Sequence, residues 1–71
     1  MGFEGTAFIQ KEGKVYVARC PELGVSSRAE TMLEVLDALR EDVRAYLQRE
    51  SQAEVSPDDI RLSVMRVEVE L

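Results

Sequence analysis

Apolar and polar positions along the chain divide it into five segments. Phe3 to Gln10 is apolar with few breakers and predicts a first strand. Lys11-Glu12-Gly13-Lys14 is a short loop with a glycine, the usual signal of a hairpin. Val15 to Cys20 is rich in β-formers and predicts the second strand. Pro21 ends it, because proline cannot donate to a ladder, and Pro21-Glu22-Leu23-Gly24 forms a turn. Val25 to Ala29 is a short third strand. Loops this short make the three an antiparallel meander.

The period then changes. Met32, Val35, Leu36, Leu39, Val43, Tyr46 and Leu47 recur at helical spacing, and Thr31-Met32-Leu33-Glu34 matches a capping box. The expected helix runs from about 31 to 50. A polar connector, 51–55, precedes Ser56-Pro57-Asp58-Asp59, which reads as the cap of one further helical turn. Residues 60–71 form the last strand, and its alternation is defective. Ile60, Leu62 and Val64 share one parity, Val67, Val69 and Leu71 the other, so a bulge or bend is expected near Met65-Arg66. The fold class is therefore α+β, ordered β-β-β-α-β, with the helix on one face of a sheet of strand order 3-2-1-4.

One helix covers one face of a sheet. Yet Phe3, Ala7 and Ile9 oppose Phe8, and Tyr16, Ala18 and Cys20 oppose Val15 and Val17, so large apolar groups remain on the far face. Pattern alone leaves open which face the helix takes. Leu33 lies off the main helical stripe, as either a contact point or a simply exposed leucine.

Length turns this two-sided apolarity into an expectation about assembly. Seventy-one residues make a single domain, 1–71, with a thin core. Small domains recruit a staple. A single cysteine and no histidine give neither an internal disulfide nor a structural zinc site, which leaves self-association, as a homodimer or homotetramer. The lone thiol and a first segment without a basic n-region point to the cytoplasm, and no apolar run reaches the length of a membrane span.

Charge narrows the partners. A net −5 disfavours direct contact with nucleic acid and suits a basic protein partner. Without histidine there is no Ser-His or Cys-His nucleophile. Cys20 at a strand end reads as a small hydrophobe. Glu34, Asp37 and Glu41 share one helix face at i, i+3 and i+7. As a metal site they lack oxygen ligands from other elements, and a solvated face with Asp37–Arg40 and Glu41–Arg44 pairs accounts for them. The glycines form no phosphate loop. No catalytic residue, metal or cofactor is expected.

The segment from Tyr16 to Gly24, then Ala29-Glu30-Thr31 and the helix Glu34 to Leu47 ending in Tyr46-Leu47, resembles the HicB-like antitoxin family. The shared pattern is a strand closed by a Pro-Glu-Leu turn, a short strand, an acidic-Thr helix start and an acidic–aliphatic helix. The resemblance implies a partly degraded ribonuclease H-like fold and a domain that neutralises a small, basic, mRNA-cleaving toxin. Full-length members add a C-terminal DNA-binding domain; none is expected in 1–71, and Ala38 stands where many members carry a polar residue. On this reading the chain is a non-catalytic protein-binding module whose charged contacts are Glu22, Glu34, Asp37 and Glu41. The alternatives are an orphan nucleic-acid-processing enzyme or a structural oligomeric module on the same degenerate fold.

Overall fold

A computed structural model of the chain describes residues 2–52 and 54–67. Four strands, β1 (Phe3–Glu12), β2 (Val15–Cys20), β3 (Val25–Ala29) and β4 (Ile60–Val67), form one mixed sheet of order β3-β2-β1-β4. A 20-residue helix, α1 (Met32–Ser51), and a 3-10 turn (Pro57–Asp59) join β3 to β4. This is the expected α+β order. β1 and β2 pair antiparallel, with Ile9 opposite Ala18 and Glu12 opposite Val15. The loop is thus shorter than the sequence implied, two residues led by Gly13 at φ +61°. That left-handed conformation suits glycine and matches the twist of a two-residue hairpin. Gly24 does the same at +69° in the next turn, where the amides of Leu23 and Gly24 both donate to the Cys20 carbonyl.

The helix starts where its cap does. Thr31 Oγ1 accepts the Glu34 amide at 3.1 Å and donates to the Glu34 carboxylate at 3.0 Å. At the other end Gln52, at φ 56°, donates its amide to the Gln48 carbonyl. In the connector Ser56 and the 3-10 turn cap each other: Asp58 N–H donates to Ser56 Oγ, and Ser56 N–H to Asp59 Oδ2.

Register decides which face the helix takes. It covers the face bearing Ala7, Ile9, Ala18 and Cys20, where Val35, Leu39 and Val43 meet them in a fully enclosed cluster with Ile60. Met32, Leu36, Leu47, Tyr16 and Phe3 pack around its rim. The opposite face keeps Phe8, Val15, Val17 and Met65. A helix is about 10 Å across and strands lie about 4.8 Å apart, so one helix covers about two strands. Here it lies mainly on β3 and β2 and barely touches β1 and β4.

The expected bulge near Met65-Arg66 is absent. β1 and β4 run parallel and pair one-to-one from Phe3 with Ile60 to Gln10 with Val67, straight through the change of parity. The reason lies in the helix's position. Because α1 reaches β4 only near its start, neither side of that strand's second half is core, and a regular ladder leaves both Val64 and Met65 about half exposed, at 50% and 52%. Burial, the force that would require a bulge, is missing there. The remainder of the expected strand, 68–71, lies outside the described residues.

Candidate partner-binding surface

The four acidic residues singled out from the sequence do not form one site. Glu34, Asp37 and Glu41 are exposed along one side of α1. Glu22 sits in the β2–β3 turn, at the opposite end of β3 from the start of the helix. Among the helical three, Glu34 is engaged in the Thr31 cap, and Glu41 pairs with Arg44 at 3.2 Å. The expected Asp37–Arg40 pair does not form; both side chains extend into solvent. The Arg44 guanidinium also donates to Gln48 Oε1, which in turn accepts the Val55 amide, so this part of the helix ties down the connector.

The helix's outer side has an asymmetry. From Glu30 to Asp37 every charge is negative, and the first arginine is Arg40. Within this acidic stretch Leu33 stands 72% exposed, the most exposed large apolar residue described. Adjoining Glu34 in the chain and lying one helical turn before Asp37, Leu33 forms a small amphipathic knob. Such a knob suits a partner offering an apolar pocket with a basic rim.

Glu22 has a different environment. Its carboxylate accepts the Thr6 hydroxyl at 2.8 Å, and Cys20 Sγ lies 3.6 Å from its other oxygen. Hydrogen bonds from its own backbone amide, and then from Thr6, hold its pKa below the usual carboxylate value. A depressed folded-state pKa stabilises the fold above the unfolded value, and that stabilisation fades as pH falls through the folded one. Glu22→Gln is therefore expected to lower the urea midpoint near neutrality. The gap to the parent should close in acid below the ordinary carboxylate range, and a gap that widened there would refute this account.

Cys20 belongs to the enclosed core, and burial pushes its thiol pKa up. That is the opposite of an activated nucleophile. Sequence reasoning missed Asp42. The Ser27 hydroxyl, buried on the helix side of β3, donates to the Asp42 carboxylate and fastens β3 to α1. The available signal was Ser27 itself, a polar residue at an inward strand position that required a partner.

Among the described residues no three His, Cys, Asp or Glu side chains are grouped to hold a metal ion, and no helix is long and apolar enough to cross a membrane. An open cavity of about 290 Å³ lies between the end of α1 and the 3-10 turn, lined by Gly2, Phe3, Leu47, Ser51, Glu54, Val55 and Asp59. Comparison of the chain with family models, curated proteins and solved structures returns no match.

Proposed function

We propose that this domain is a non-catalytic binding module of the HicB-like antitoxin type, which masks a small basic mRNA-cleaving protein. The observation that carries this reading is the acidic stretch of α1 around the exposed Leu33. The β-β-β-α-β order is the one the family resemblance implies, and it supports the same reading. A ribonuclease must present cationic groups to hold phosphates. An acidic helix face competes for those groups while the body of the domain blocks access. Glu34, Asp37 and Glu41 supply the charge and Leu33 the apolar contact; Glu22, bound to Thr6 and remote from the helix start, contributes at most at the edge of this footprint.

The test is association with a small basic ribonuclease of double-stranded-RNA-binding-like fold encoded beside this chain's gene, followed by stopped flow. Reversing Glu34, Asp37 and Glu41 together to Lys is expected to slow association about tenfold or more at low salt and to flatten its salt dependence. The reversal removes the Glu34 arm of the Thr31 cap and the Glu41–Arg44 pair, so circular dichroism of the variant must first show the helix retained. An unchanged rate and salt slope would remove the helix face from the proposal. Metal-dependent RNA cleavage by the isolated domain in Mg²⁺ or Mn²⁺ would favour the enzyme alternative instead.

A further inference from the structure

The sheet ends differently at its two edges. β3 is five residues long, carries Ser26, Ser27 and Arg28, and is fastened to the helix through Ser27 and Asp42. β4 presents eight residues, with no described element beyond it. Its apolar side chains fall on both faces: Leu62 and Val64 on the helix side, Met65 on the open side. A strand bordering water on one face has no use for this. A strand inside a sheet does, because it meets neighbours on both faces and both flanks. Long, apolar, uncovered edges are also what proteins otherwise avoid, since their unpaired amides and carbonyls recruit another strand.

We propose that β4 is the pairing edge of a two-fold homodimer, in which a second copy adds its own β4 antiparallel and makes one continuous eight-stranded sheet. The segment Arg61-Leu62-Ser63-Val64-Met65-Arg66-Val67 is self-complementary about Val64. Turned on itself there, the two Val64 positions meet on the axis. Ser63 then lies across from Met65, Leu62 from Arg66 and Arg61 from the backbone position of Val67. Every position keeps its own face, and no two charges oppose each other. Arg66 lies across from Leu62, an aliphatic side chain that the methylene stem of the arginine can cover. The two Met65 side chains become diagonal neighbours, close enough to cover one another.

The register, rather than charge, argues for a second copy at this edge, because Leu62 and Arg66, and Ser63 and Met65, then face one another reciprocally. The described residues of β4 carry Arg61 and Arg66 and no acid, whereas the acidic surface lies on the helix. A basic partner is drawn to the acidic helix face, so the two surfaces have separate occupants.

The experiment uses the full chain at micromolar concentration. Sedimentation velocity is expected to show a dimer. Val64→Lys sets two ammonium groups across the axis at a position already half exposed in one copy, and should weaken dimerisation at least tenfold with an unchanged circular dichroism spectrum. Independently, Val64→Cys in a Cys20→Ala background should cross-link to itself under mild oxidation, whereas Phe8→Cys on the open face should not. A monomer at tens of micromolar overturns the proposal. So does a dimer indifferent to Val64→Lys, or one in which Phe8→Cys cross-links and Val64→Cys does not.

Discussion

Leu39→Ala is expected to cost about 3 kcal/mol of folding stability, within the usual range for an enclosed leucine reduced to alanine. Leu39 is fully buried, in the middle of α1 between Val35 and Val43, where the helix presses on β2 and β3. A domain of this length has roughly 4–10 kcal/mol in total. Removing one methine and two methyl carbons at this point therefore consumes about a third or more of it. At 4–8 °C per kcal/mol the melting temperature should fall by about 12–24 °C. Leu33→Ala, the same chemical change on the same helix, should move stability by less than about 0.5 kcal/mol because Leu33 is already in water. Equal losses for the two variants, measured by urea unfolding, would show that α1 does not pack as described.

The second large effect is expected at Asp42, and it should be lopsided. Asp42→Ala leaves the buried Ser27 hydroxyl without its acceptor and separates β3 from α1, at a cost of about 2 kcal/mol. Ser27→Ala removes the donor instead. The Asp42 carboxylate lies on an exposed residue and water can satisfy it, so this loss should be nearer 0.5–1 kcal/mol. A Ser27→Ala/Asp42→Ala double variant should be less damaged than the sum of the two. Additive losses in that cycle would mean that the two groups do not interact.

Asp42 also shows where the sequence is informative and where it is not. α1 was legible because capping and periodicity agreed: Thr31 caps it, and Val35, Leu39 and Val43 form its buried stripe. The meander was legible because Gly13, Pro21 and Gly24 punctuate it. What could not be read was anything set by the helix's lateral position on the sheet. Displacement of α1 towards β3 hands Ser27 an acidic partner from a run of otherwise solvent-facing charges. The same displacement leaves β4 free to change parity without a bulge. Candidate binding residues were legible as chemistry, acids on one helix face, but their grouping was not. Glu22 shares their charge and not their location, because the β2–β3 turn lies at the far end of the strand that leads into the helix.

The pairing of β1 with β4 has a consequence for the order in which the molecule assembles. From Phe3 to Gln10 each residue of β1 meets a partner 57 positions further along the chain, whereas β1–β2 and β2–β3 contacts close through short turns. Bringing such distant segments together costs about 3.5 kcal/mol of chain entropy before any contact compensates for it. The meander and helix can form from local contacts, with Ser27 and Asp42 joining them early. β4 has no local partner and little contact with the helix, so it is the natural last strand to dock and the first to leave. Until it does, β1 is itself an open edge, and the nascent domain exposes a second strand to whatever else is in solution.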